Sequence, residues 1–188
     1  QTAREEECNF IVLGRSQRPR LASRVVKSSV ENVIAHAQCH VASVKIGEQR
    51  GAGRIVAAVS NERNAQLALE LLPAFAQTWN ASAKVVEFAS GADNASRAET
   101  DRAVREAAPP GAEIKMVTDG HVADRIAQET APDDVILMGD TEWSGLTRLL
   151  VPGVADAVAE KSEQTVVLIR AYRPARKRTL LIRLLTGA

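Results

Sequence analysis

Aromatic residues are scarce in this chain: three Phe, two Trp and one Tyr, or 3% of 188 positions. That argues against the stacking platforms on which single-stranded nucleic acids are bound. No excess charge of one sign is present, since 24 Lys and Arg stand against 23 Asp and Glu for a net +1. No global field therefore calls for nucleic acid. Two cysteines, Cys8 and Cys39, are too few for a disulfide framework, and a reducing compartment fits. The longest apolar runs are of strand length, far below the ~20 residues of a membrane-spanning helix. Gly-x-Ser-x-Gly is missing, and no His stands near a Ser or Cys in a nucleophile motif. What remains is 45% hydrophobic and 25% charged, a globular balance sufficient for one or two cores.

Against this plain composition stands an internal repeat, the feature to seek first because it decides the architecture. Residues 9–46 and residues 134–170 each read as an apolar run ending in Gly, a polar loop, a helical pattern and a second apolar run. A strand–helix–strand series from Arg54 to about Thr130 precedes the second copy only. The reading is the tail of one α/β unit followed by a whole one, with more protein expected upstream of Gln1.

Along the whole unit, Arg54–Ser60, Ala83–Phe88, Glu113–Val117, Val135–Met138 and Thr165–Arg170 read as strands. Ala65, Ala68, Leu69, Leu72, Phe75 and Ala76 recur at three and four residues, one face of a helix. Pro73 lies inside that pattern and predicts a kink or early break. Arg97–Ala107 predicts a weaker helix, stopped by Pro109, Pro110 and Gly111. Asp119 is placed to cap a helix through Val122, Ile126 and Ala127. Val154–Glu160 completes the set. In the first copy Phe10–Leu13 and Val41–Ile46 are the strands. Strands alternating with helices imply a parallel sheet with right-handed crossovers. Ligands in such sheets bind at the carboxyl ends of the strands, where the strand order reverses. Ser60 and Gly139 stand at such ends, and Gly14 is the matching position in the first copy.

The segment Ala123–Arg170 (ADRIAQETAPDDVILMGDTEWSGLTRLLVPGVADAVAEKSEQTVVLIR) resembles the universal stress protein family, as does the half unit Asn9–Ile46 with its AQCHV. The resemblance implies an α/β fold: an open five-stranded parallel sheet, strand order 3-2-1-4-5, with helices on both faces. ATP-binding relatives carry G-x2-G-x9-G-[ST] after the fourth strand, where glycines let backbone N–H groups reach phosphate. Laid on this chain, the pattern falls on Gly139, Glu142, Pro152 and Gly153. Glu142 brings a like charge, Pro152 has no N–H to donate, and Gly153 offers no hydroxyl. Ser60 and Asn61 stand where those relatives place an Asp near adenine. The expectation is a degenerate phosphate loop, no cofactor and no catalysis.

The stretch Ser60–Leu71 (SNERNAQLALEL) resembles a divergent, often tandem subgroup fused to prokaryotic membrane transporters: amino-acid permeases, cation–chloride cotransporters and CLC-type chloride channels. The basic, leucine-rich segment Arg173–Ala188 fits that setting. It suits either an anionic membrane surface or packing on its own domain. His36 and His40, with Cys39 between them, have zinc-ligand spacing. Gln164 occupies the equivalent turn of the second copy with no ligand set, so a helix end is the expected reading and no metal is assigned. Asp133–Asp134 and Asp140–Glu142 read as loop charges near strand ends, and Trp143 as filling the vacated nucleotide cleft. The expected organisation is a half unit over residues 1–47, a linker over 48–53, a complete unit over 54–172 and a basic tail over 173–188. The expected role is a non-catalytic regulatory or assembly domain at the cytoplasmic face of a transporter, with a free nucleotide-binding switch as the alternative. Expected partners are the transporter's membrane region or the membrane surface, and further copies of the chain through sheet edges. Joining of the two units is expected to bring Val41–Ile46 alongside Thr165–Arg170.

Overall fold

A computed structural model describes residues 8–15, 33, 36–48, 51–60, 62–89, 94–140 and 153–172. Its strands are β1 (Phe10–Gly14), β2 (His40–Lys45), β3 (Arg54–Val59), β4 (Ser82–Phe88), β5 (Glu113–Val117), β6 (Asp134–Gly139) and β7 (Thr165–Arg170). The helices are α1 (Arg63–Trp79), α2 (Asn94–Ala107), α3 (Val122–Glu129) and α4 (Val154–Lys161).

All seven strands form one sheet in the order β1-β2-β7-β6-β3-β4-β5. The expected five-stranded sheet is therefore corrected to seven strands. Those of residues 54–170 form a contiguous block, β7-β6-β3-β4-β5, which β2 and β1 continue beyond β7. Neighbours are parallel throughout except β2 and β7, which run antiparallel. Val41 stands opposite Arg170 and Lys45 opposite Val166. The expected pairing of residues 41–46 with Thr165–Arg170 is thus present, and the sheet continues through it.

The strands are β-branched and alanine-rich because both faces are covered. Ile55, Ala57, Val59, Val85, Val135, Leu137, Val167 and Ile169 face α1 and α2, where Ala68, Leu69, Leu72, Ala76 and Val104 close the larger core. Ile136, Met138, Val166 and Leu168 face the other way, onto Ile126 of α3 and Ala155, Val158 and Ala159 of α4. Helix α1 runs through Pro73 without the early break, one of the two outcomes expected there. Proline forfeits one backbone bond, but Leu69, Leu72 and Ala76 on both sides of it are buried in the core. The helix ends at Asn80, whose φ of 49° is left-handed, a conformation that asparagine tolerates better than most residues. Helix α3 is entered from His121, not capped by Asp119. The Asp119 side chain lies 3.9 Å from Arg125 instead.

Candidate ligand cleft at the strand ends

The strand order turns back between β3 and β6, so the crevice to examine lies beyond Val59 and Gly139. The chain leaves β3 and immediately enters α1, whose first turn sits on the end of β6. A Cβ on Gly139 would lie 2.5 Å from the Ala65 nitrogen and 2.7 Å from the Asn64 carbonyl carbon. Glycine is needed here so that helix and strand can touch. Asn64 is 1% exposed and fills the space between the strand ends. Its Nδ2 donates to the Asp140 carbonyl at 2.6 Å, and its Oδ1 accepts from the Ala171 N–H at 2.9 Å. Asp140 N–H donates to the Ile169 carbonyl at 2.7 Å. One side chain thereby ties α1 to the ends of β6 and β7.

The buried acids at this end are each matched by an arginine. The Asp140 carboxylate is buried, 3.9 Å from the Arg170 guanidinium. Gly153 precedes α4 in an extended conformation and makes no side-chain cap. Asp156, in the first turn of α4, is buried and accepts a hydrogen bond from Arg15 Nη2 at 2.8 Å. An acidic side chain there already answers the positive end of the helix dipole. Arg15 comes from the loop after β1, where its own N–H donates to the Val44 carbonyl at 2.7 Å. Two buried carboxylates, each with an arginine near it, and a buried amide therefore stand at the end of β6 and the first turns of α1 and α4.

Of the residues singled out in the sequence, Gly139 lies at the crevice and Gly153 at the start of α4. Glu142, Trp143 and Pro152 lie outside the described residues, as do Asn61 and the tail 173–188. Ser60 Oγ accepts from the Glu62 N–H at 3.4 Å. His40 opens β2, its Nδ1 accepts the Tyr172 N–H at 3.1 Å, and its ring centroid lies 6.0 Å from that of Phe10. Burial, and secondarily Cys8, pushes the Cys39 thiol above its ordinary range. Among the described residues no group of three His, Cys, Asp or Glu is placed to hold a metal. Sequence reasoning missed Asn64, Arg15 and Asp156. For Asn64 a signal existed, since a polar residue directly before the apolar stripe of α1 invites the question of its partner.

A second charged cluster occupies the opposite, amino ends of the strands. Arg54 pairs with Asp134 at 2.8 Å and reaches Glu113 at 3.3 Å. Buried Lys84 meets Glu129 at 2.9 Å and Glu113 at 3.0 Å, while Lys115 reaches Glu129 at 2.7 Å. Hydrogen bonds from Lys115 and then Lys84 hold the Glu129 carboxyl below its usual range. Burial alone would lower Lys84, but its bonds to Glu129 and Glu113 outweigh that and raise it. The charges compensate one another, so this cluster fastens β3, β4, β5, β6 and α3 together and has the form of a structural brace.

The profile of the universal stress protein family matches residues 1–45. Comparison with curated protein sequences finds no match. Among solved structures, a universal stress protein from Archaeoglobus fulgidus DSM 4304 superposes with a TM-score of 0.64 at 15% identity, over 90% of this chain. This chain spans 63% of that protein's length. A universal stress protein from Lactobacillus plantarum superposes with a TM-score of 0.51 at 17% identity, over 65% of this chain and 100% of its own. A universal stress protein solved in complex with cAMP gives 0.50 at 16% identity, over 65% of this chain and 99% of its own. The α/β fold of this chain is therefore like that of the universal stress proteins, and residues 1–45 match the family's own sequence profile.

Proposed function

We propose that the chain is a non-catalytic regulatory and assembly module whose sheet has lost nucleotide binding. The observation that carries this reading is the occupied strand end: Asn64 is buried and bonded across the ends of β6 and β7, with Asp140 buried at the end of β6 and Asp156 in the first turn of α4. A phosphate entering there would have to displace the amide and approach two carboxylates. The expected departures Glu142 and Pro152 point the same way. In this reading the half unit 1–47 and the complete unit 54–172 act as one body through β2 and β7, with 48–53 as a linker and 173–188 as a basic tail. Uncharged β1, with Val12 67% exposed, is the edge suited to a further copy.

The transporter setting rests on the likeness of Ser60–Leu71 to transporter-fused domains. No helix among the described residues is long and apolar enough to cross a membrane. The module would then hang at the cytoplasmic face, with partners met through its edges or tail. A nucleotide-responsive switch is the second reading, favoured by the likeness to the structure solved with cAMP. Extraction of small molecules from the purified protein separates the two. The assembly reading expects no nucleotide by mass spectrometry, whereas stoichiometric ATP or cAMP would replace it with the switch.

A further inference from the structure

Glu87 lies near the carboxyl end of β4, on the face covered by α2. It is 1% exposed, and among the described residues neither carboxylate oxygen has a hydrogen-bond partner. Its neighbours in register are Val59 on β3 and Met116 on β5, and Val85 precedes it on the same face. The charged groups acting on it come from α2: Asp101, which opposes its ionisation, and Arg105, which favours it. Arg105 is bonded to Asp101 at 2.9 Å, so its charge is shared with that carboxylate. Desolvation, then Asp101, pushes the Glu87 carboxyl above its usual range. Water would solvate an ionised Glu87 far better than these walls do.

The covering helix is poorly fastened. Only Thr100 and Val104 of α2 are fully buried, and the Thr100 hydroxyl bonds back to Ser96 of its own helix. Local opening is drawn from such lightly buried elements. We propose that α2 is a proton-operated latch, seated on the sheet while Glu87 is neutral and lifted as Glu87 ionises. A raised carboxyl binds a proton in the closed form that the open form releases. The closed form is therefore fully favoured below the ordinary glutamate range and loses ground as pH rises through the closed-state value. Lifting α2 would bare Glu87 beside Ile114 and Met116, which are already 46% and 49% exposed. The latch thus couples proton concentration to the size of an apolar patch on the β5 side of the sheet.

Hydrogen exchange of the full chain, corrected for the intrinsic pH dependence of exchange, tests this from about pH 5 to about pH 9, a range that reaches the highest values of buried glutamates. Opening of residues 94–107 should rise by up to about tenfold per pH unit above the ordinary glutamate range and level off once Glu87 is ionised in the closed form as well. Residues 165–170 should keep their protection. In Glu87→Gln the opening of α2 should be flat with pH, and in Asp101→Asn, where the charge that opposes ionisation is gone, the rise should level off at lower pH. Should Glu87→Gln fold poorly, Glu87→Met is the second neutral variant, with the same flat profile expected. A protonated-carboxyl infrared band that is lost over the same pH range would support the latch. Protection of α2 that is independent of pH in the native chain would overturn it. So would an unchanged pH dependence in both neutral variants, or opening of β7 in step with α2.

Discussion

At the scale of single residues, Gly139 and Asn64 decide what the crevice can hold. Gly139 matches the first glycine of a phosphate loop, and the sequence alone assigns it to ligand contact. Packing is the stronger cause, because the first turn of α1 occupies the volume of its missing Cβ. Gly139→Ala should therefore destabilise the protein by about 2 kcal/mol through overpacking against backbone. A denaturant titration measures this. Asn64→Ala should cost about 2 kcal/mol, since it strands the Asp140 carbonyl and the Ala171 N–H in a buried site. A loss of under half that would mean water replaces the amide. Asn64 was not legible as a fastening because its partners lie 76 and 107 positions away in the chain. Local pattern shows a polar residue near a helix start, and only the topology brings those partners to it.

At the scale of elements, Arg54, Glu113, Thr165 and Arg170 were legible as strand ends because glycine, proline or charge bounds each apolar run. Periodicity of two or of three to four survives packing on both faces, so it reads through. Two local signals misled. Pro73 predicts a kink or early break, but burial on both sides of it outweighs one lost bond and the helix continues. Asp119 resembles a cap, yet the chain enters α3 two residues later. The cluster at the amino ends could not be read at all, since Arg54, Lys84, Glu113, Glu129 and Asp134 come from five elements. Glu129→Gln should destabilise by roughly 2 kcal/mol, between the cost of breaking an exposed pair and a buried one. The depressed Glu129 carboxyl also fixes a sign. Its contribution is present above the ordinary glutamate range and is lost as pH falls through its folded value. Unfolding midpoints measured across acid pH should fall less steeply in Glu129→Gln than in the native chain.

At the scale of the whole molecule, the account rests on one continuous sheet with a closed ligand end. The β2–β7 ladder, the Arg15–Asp156 pair, the His40–Tyr172 bond and the Gly47–Thr165 bond join residues 8–48 to residues 153–172. Unfolding should be a single transition. Arg15→Ala should leave the fold in place but destabilise it by about 2 kcal/mol, because buried Asp156 loses its cation. Two separated transitions in the native chain would show that the segments fold apart. The repeat pattern made the β2–β7 pairing readable in advance, and that pairing carries the sheet of residues 54–170 on into β2 and β1. The central claim is loss of the nucleotide site, and isothermal titration of the full chain with Mg-ATP and with cAMP tests it most directly. The account predicts no saturable heat for either ligand up to about 1 mM, the concentration at which even a −4.1 kcal/mol interaction half-fills its site. A stoichiometric isotherm with a micromolar Kd would contradict it.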